Sequence, residues 1–169
     1  MTTDTAALVP AARLVSALEY VDSANFGPEW PLRSYLELGA LNTAPSCARS
    51  HVRLITTEWD MAALTEAAGL VITELTTNAV QASADLPGSS YQGVWSAGQP
   101  PIRLWITSDH RRILIQVWDA SHLMPARQEP DSDAETGRGL QIVAAVSSRW
   151  GAFTPEGSGG KVVWALLDG

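Results

Sequence analysis

The longest regular pattern in the sequence runs from Met61 to Ser83, where apolar residues recur at steps of mostly three and four positions. Such spacing places them along one face of a helix, and a helix with one apolar face must bury it against another layer. The residues of this stripe are Leu64, Ala67, Ala68, Val71, Leu75, Ala79 and Ala82. The rest of the chain therefore has to provide a partner surface for a long amphipathic helix.

That surface is predicted from segments in which apolar residues alternate with a period of two, as they do in strands. The predicted strands are 34–41, 102–107, 113–118, 150–153 and 161–167, and two further helices are predicted at 46–59 and 139–148. This order of elements predicts an α/β (α+β) two-layer sandwich, with a mixed sheet and the helices on one face. A regular βαβ array of the Rossmann type does not fit it.

Three segments lack such a pattern. Residues 1–33 are predicted to form an N-terminal arm or extension, which leaves 34–169 as the folded domain. Residues 85–101 are rich in glycine and proline and indicate a long loop. The polar segment 121–136 holds two prolines and is too long for a plain connection, so it predicts a lid or binding loop.

The charge and composition narrow the possible partners. The 169 residues carry a formal charge of -7, and an acidic surface repels the phosphate backbone, so direct nucleic-acid binding is not expected. No apolar run approaches the roughly 18 residues of a membrane helix. The N-terminus does not resemble a secretory signal. Because the chain has one cysteine, no internal disulfide can form, and the expected compartment is the cytoplasm.

Glu74 and Asn78 are the first candidate site residues. They are four positions apart on the long helix, so their side chains lie on one face, at the border of the apolar stripe. A carboxylate and an amide oxygen are hard ligands of the kind that Mg²⁺ binds, and Glu74 can also accept a proton from a hydroxyl group or a water. Taken alone, the pair is better explained as part of a solvated helix face, because such pairs are common.

Asp119 continues a line of apolar residues. Three apolar side chains of one strand share a face by the period of two, and Asp119 falls in line after them. These residues are Ile113, Ile115 and Val117. A buried carboxylate needs a partner, which the amino group of an adenine could provide at the end of an apolar slot. The alternative is that the strand ends at Val117 and that Asp119 caps a turn.

Gly137 and Gly139 precede an apolar helix. Glycines at a helix start allow close approach of the backbone to an anion, which the helix N-terminus also favours. A single Gly-x-Gly is weak evidence, because many such pairs only permit the turn from loop to helix. Lys161 follows another glycine pair and is interpreted as a solvated edge residue, with a phosphate contact as the alternative.

The tryptophans form a further pattern. Seven are present, and by the period of two Trp105 and Trp118 point away from the helix layer. A sheet face that carries indole side chains commonly docks another surface. A folded-back N-terminal arm is the favoured candidate for that surface, and a partner protein or a second subunit is the alternative.

Taken together, these segments resemble the GHKL, or Bergerat-fold, ATPases. Residues 74–79 (ELTTNA) resemble the N box of the family, residues 117–121 (VWDAS) its first glycine-box segment, and residues 137–143 (GRGLQIV) the second. Residues 160–164 (GKVVW) resemble the closing strand of the small bacterial anti-sigma-factor serine kinases. The resemblance covers about 34–167, and its specificity comes from the order of the motifs, with a lid between the two glycine-box segments.

The resemblance implies a role for each matching residue. Asn78 would coordinate Mg²⁺ that bridges the phosphates of ATP, and Glu74 would act as general base or orient the attacking group. Asp119 would bind the adenine amino group. The resemblance also assigns nucleotide contacts, made as the lid closes over the phosphates, to Gly137, Gly139 and Leu140.

Two positions depart from the family pattern. Ser121 stands where many members have glycine, which leaves the loop less free. Gln81 and Ala82 follow the N box, where relatives of this branch often have a basic residue and a histidine. The first change leaves the nucleotide contacts in place, and the second bears on the efficiency of phosphate transfer.

By resemblance, the expected function is that of an ATP-dependent serine/threonine protein kinase of the anti-sigma-factor type. Such a protein phosphorylates a small antagonist protein and sequesters a sigma factor when the antagonist is absent, and relatives often form homodimers. The first alternative is an ATP-binding protein-interaction module with little or no kinase activity. The second is a plain α/β domain whose motifs arise by chance, which predicts no affinity for ATP.

Overall fold

The computed structural model describes residues 29–86, 99–125 and 138–169. Within these ranges the chain forms a five-stranded sheet and three α-helices. The strands are β1 (Leu32–Gly39), β2 (Pro101–Ser108), β3 (Arg112–Asp119), β4 (Arg149–Phe153) and β5 (Lys161–Asp168). The helices are α1 (Ala44–Glu58), α2 (Thr65–Ser83) and α3 (Arg138–Val146). None of these helices is both long enough and apolar enough to cross a membrane.

The sheet has the strand order β1-β2-β3-β5-β4, and each neighbouring pair is antiparallel. The prediction of a mixed sheet is therefore wrong. β4 does run parallel to β3, but β5 lies between them and pairs antiparallel with both. The last strand of the chain inserts into the sheet instead of adding to its edge, and this removes the parallel contact.

The three helices pack on one face of the sheet, as predicted. Their apolar side chains share one core with alternate residues of β2, β3 and β5. Val71 and Leu75, from the stripe of α2, are almost fully buried in it. The predicted helix from Met61 to Ser83 is divided, because Ala62–Leu64 forms a 3₁₀ turn and the α-helix begins at Thr65. The Leu64 N–H donates to the Met61 carbonyl, three residues back, which tightens this first turn.

The direction of α2 decides which residues meet at the end of the sheet. A Cβ atom placed on Gly169 would lie 3.5 Å from Leu64 Cδ1, and the Gly169 N–H donates to the Arg111 carbonyl, so α2 and β3 start at the same end. From Leu64 to Asn78 the helix rises about 21 Å, and from Arg111 to Asp119 the strand extends about 26 Å. Asn78 and Asp119 therefore both lie toward the opposite end of the sandwich.

Trp105 and Trp118 lie on the other face of the sheet, as predicted. Trp105 and Trp118 are buried in a cluster separate from the helix-side core. Trp30 is buried against Leu114 on the same face, and the Arg112 guanidinium lies 5.1 Å from the centre of its ring. The end of the predicted arm thus covers part of this face, and its last two residues belong to β1, which begins at residue 32. Residues 1–28 lie outside the described part of the chain.

Candidate functional site

Glu74 and Asn78 face the start of α3. A Cβ atom placed on Gly139 would lie 2.5 Å from Glu74 Oε2 and 3.6 Å from Asn78 Oδ1. The missing side chain of Gly139 therefore lets the backbone of α3 lie directly against the carboxylate and beside the amide. Three predicted site residues, from two motifs that are far apart in the sequence, therefore lie close together in the fold.

The side chains of Glu74 and Asn78 have no polar partner within the described residues. Both residues are partly exposed, and neither side chain makes a hydrogen bond or ion pair with the residues that the structure describes. The neighbouring hydroxyl groups behave differently, because Thr73 Oγ1 donates to the Gly69 carbonyl and Thr77 Oγ1 donates to the Thr73 carbonyl. On this face of α2 the threonines bond their own helix, whereas the Glu74 carboxylate and the Asn78 amide make no such bond within the described residues.

Asp119 is buried at the end of β3 and is paired with a cation. Its Oδ1 accepts hydrogen bonds from Lys161 Nζ at 2.8 Å and from the Ser121 N–H at 2.9 Å. Asp119 and Lys161 are also direct partners across β3 and β5, so their side chains lie on the same, helix-facing side of the sheet. Within the described residues, Oδ2 of Asp119 accepts no hydrogen bond.

The interpretation of Lys161 as a solvated edge residue is wrong. Its side chain is 5 % exposed and forms an ion pair with Asp119, whose side chain is 2 % exposed. β5 lies inside the sheet, and Lys161 at its start pairs with Asp119 at the end of β3. A buried ammonium requires a compensating charge, which Asp119 provides. Both residues are recognisable in the sequence, but no local pattern connects them, because their pairing depends on the position of β5.

The alternative interpretation of Asp119, in which the strand ends at Val117 and the carboxylate caps a turn, holds in part. The strand continues through Asp119 and does not end at Val117. The carboxylate nevertheless also closes a turn, because it accepts the N–H of the residue two positions ahead. Burial raises the pKa of the Asp119 carboxyl above its usual value, while the Lys161 ammonium and the Ser121 N–H oppose this rise. The Lys161 ammonium therefore limits the rise in the pKa of Asp119 that burial causes.

Gly160 allows Lys161 to stand opposite Asp119. Its φ of +70° is in the left-handed region, and a Cβ atom there would clash with the Asp119 carbonyl oxygen and the Trp118 ring. The indole N–H of Trp118 in turn donates to the Gly159 carbonyl at 3.0 Å. The glycine pair before β5 therefore packs tightly against the end of β3 and sets the position of the lysine.

The other predicted site residues have less definite positions. Gly137 and residues 126–136 of the predicted lid lie outside the described residues. Leu140 is in the first turn of α3, partly buried, and packs against the helix-side core. Ser121 is buried beside Asp119. The described part of the site thus consists of two clusters, Glu74–Asn78–Gly139 and Asp119–Lys161.

The donor set fits one kind of metal site. Across the described ranges no group of three or more His, Cys, Asp or Glu side chains could hold a metal ion. Mg²⁺ does not need such a group, because it commonly binds one or two protein oxygens and completes its shell with water and substrate phosphates. Asn78 Oδ1 and the Glu74 carboxylate, close together and partly exposed, fit that requirement.

No family model matches this chain, and a search of the curated proteins finds no match. The two clusters of side chains and the order of the sequence motifs are therefore the features that indicate a function.

Proposed function

We propose that this protein binds Mg-ATP and is a serine/threonine protein kinase of the anti-sigma-factor type, with a small antagonist protein as its substrate. The observation that carries the proposal is the contact of Gly139 with Glu74 and Asn78. It joins the segments that resemble the N box and the second glycine-box segment of the GHKL ATPases. The Bergerat fold, as a specific form of the α+β sandwich, is part of this proposal, as is a homodimer.

On α2, Asn78 would hold Mg²⁺ and Glu74 would accept a proton. Asn78 Oδ1 is available to hold Mg²⁺, which when bound supplies charge neutralisation at the phosphates. Glu74 is close enough to Asn78 to accept a proton from a serine hydroxyl group at the same place. The backbone of α3 begins beside them, and the N–H groups of a helix start favour an anion there.

Asp119 would bind the base. It lies at the end of the apolar line formed by Ile113, Ile115 and Val117, all buried on the helix side of β3. Its uncommitted Oδ2 can accept a hydrogen bond from an amino group. A flat apolar base with one amino group suits a slot of this type, because the apolar residues contact its ring and the carboxylate binds its polar edge.

The first experiment is calorimetry of Mg-ATP binding to the native protein, Asn78→Ala and Asp119→Asn. Each substitution removes an interaction with a charged or strongly polar group, so the affinity should fall about 10- to 100-fold. Asn42→Ala and Asp168→Ala are matched controls, because both residues are exposed and outside the two clusters. Native protein that is folded and binds no Mg-ATP contradicts the proposal.

A transfer assay then separates a kinase from a binding module. One observation favours the alternative of an ATP-binding interaction module, because Glu74 Oε2 lies close against the α3 backbone and little room is left beside it. If the protein is a kinase, Glu74→Gln should bind Mg-ATP normally and lose phosphate transfer to a serine of the antagonist protein. If the native protein binds Mg-ATP, transfers nothing and still binds the antagonist or the sigma factor, the module is the correct function.

A further inference from the structure

Lys161 stands where the base of a nucleotide would be recognised. It is the only lysine of the chain, whose other basic residues, apart from histidine, are arginines. One of its three N–H groups donates to Asp119 Oδ1, and the two side chains form an ion pair. The remaining N–H groups of Lys161 and the Oδ2 atom of Asp119 are a donor and an acceptor side by side.

We propose that Lys161 determines base specificity together with Asp119, so that the pair recognises the edge of a 6-aminopurine. Oδ2 accepts a hydrogen bond from the exocyclic amino group, and Nζ donates to the adjacent ring nitrogen N1. This inference rests on the proposed function, because it concerns the same nucleotide. It adds a second contact to the single carboxylate contact that the sequence motif implies.

The fold holds the pair in place before a base arrives. The two residues are direct partners across β3 and β5, and the close approach at Gly160 positions the start of β5. Oδ1 accepts hydrogen bonds from both Lys161 and the Ser121 N–H, so within the described part of the chain Oδ2 is the acceptor without a partner. Groups that are fixed in advance lose little entropy on binding, and a ligand that cannot pair with one of them is rejected.

The order of acceptor and donor, Asp119 Oδ2 followed by Lys161 Nζ, distinguishes among purines. Adenine presents a donor at the 6-amino group and an acceptor at N1, which complements an acceptor and a donor in that order. A 6-oxopurine presents an acceptor and a donor in the opposite order. It would therefore have to shift across the pair to bind. The geometry favours ATP over ITP, and it predicts that N1 contributes to affinity in addition to the amino group.

The test compares Mg-ATP with Mg-1-deaza-ATP, in which a C–H group replaces N1. The native protein should bind the analogue about tenfold more weakly, since one charge-assisted hydrogen bond is lost. Lys161→Met should bind both nucleotides with equal affinity, whereas a merely structural lysine would weaken both and leave their ratio unchanged. Lys161→Arg, which keeps the charge, should retain part of the discrimination.

A second measurement needs no variant and so does not depend on whether Lys161→Met folds. Protein labelled with ¹³C in lysine gives one lysine side-chain signal, and saturating Mg-ATP should shift it more than saturating Mg-1-deaza-ATP does. Equal affinities of the native protein for the two nucleotides, or equal shifts, overturn the role of Lys161. If the native protein binds neither nucleotide, the proposed function itself has failed.

Discussion

Gly139 is the residue on which the arrangement of Glu74 and Asn78 depends. A side chain at this position would occupy the space that Glu74 Oε2 fills. The carboxylate is at the end of a flexible side chain, so it can move aside, whereas the helix backbone cannot. An added methyl group should therefore alter the site without preventing folding.

If the protein is a kinase as proposed, Gly139→Ala should lower phosphate transfer at least tenfold while the melting temperature stays within a few degrees. Alanine favours helix by about 1 kcal/mol over glycine, so the loss would come from the displaced Glu74. The measurements are a transfer assay and a thermal melt of the same preparation. Unchanged transfer would mean that the position of Glu74 does not matter to the reaction.

Gly69→Ala is the matched control for this substitution. Gly69 is also helical and buried, on α2, and a Cβ atom there would contact Arg49 side-chain atoms at 3.7 Å. This is an ordinary van der Waals distance, so the substitution should stabilise the helix by about 0.5–1 kcal/mol. Transfer should remain at the native level.

Among the elements, α1 and the edge strand β1 share a hydrogen bond between side chains. His51 Nε2 and Ser34 Oγ are 2.7 Å apart, on α1 and β1 respectively. Burial lowers the pKa of His51 below its usual value of 6.5, against an opposing effect of Glu58 on the same helix. The folded state therefore favours the neutral imidazole, and protonation of His51 opposes folding.

The lowered pKa of His51 makes the stability of the protein depend on pH. Between the lowered pKa of the folded state and 6.5 in the unfolded state, the unfolded chain binds more protons, so the free energy of unfolding falls as pH drops through this window. Urea unfolding at several pH values from about 7.5 down to 5.5 should show the loss. His51→Gln should reduce the slope, whereas Asn42→Ala, which changes an exposed residue without a titratable group, should leave it. Equal slopes in all three proteins would contradict the assignment.

The strand faces are the part of the fold that local sequence predicts best. In β3, Ile113, Ile115 and Val117 lie in the helix-side core, and Trp118 lies in the cluster on the other face. The prediction succeeds because the period of two is a property of the extended backbone itself. The mixed sheet was predicted wrongly because no local pattern states which strands become neighbours.

At the scale of the whole molecule, side chains pack against both faces of the sheet. The helices cover one, and Trp30, which precedes β1, is buried against the other with 3 % of its surface exposed. Its ring packs beside Leu114 and under the guanidinium of Arg112, which Asp109 holds in place by an ion pair of 2.7 Å. The segment before β1 is thus part of the folded unit at least from Trp30 onward.

Trp30→Ala should lower the free energy of unfolding by about 3–5 kcal/mol, as expected for a large buried aromatic side chain. Urea unfolding followed by far-UV circular dichroism measures the change. Leu54→Ala is the control, because Leu54 is 61 % exposed and its loss should change stability by less than about 0.5 kcal/mol. If Trp30→Ala changes the free energy of unfolding as little as Leu54→Ala does, the segment before β1 does not stabilise the sheet.

The sequence alone determined the helices, the strands, the faces of the sheet and the candidate residues Glu74, Asn78 and Asp119. These follow from residue periodicity and from motif order, which are local or linear properties. The tertiary structure alone decided that β5 lies between β3 and β4, that Gly139 touches Glu74, and that Lys161 is buried against Asp119. Such contacts join residues that are distant along the chain, so they depend on which surfaces the whole fold brings together.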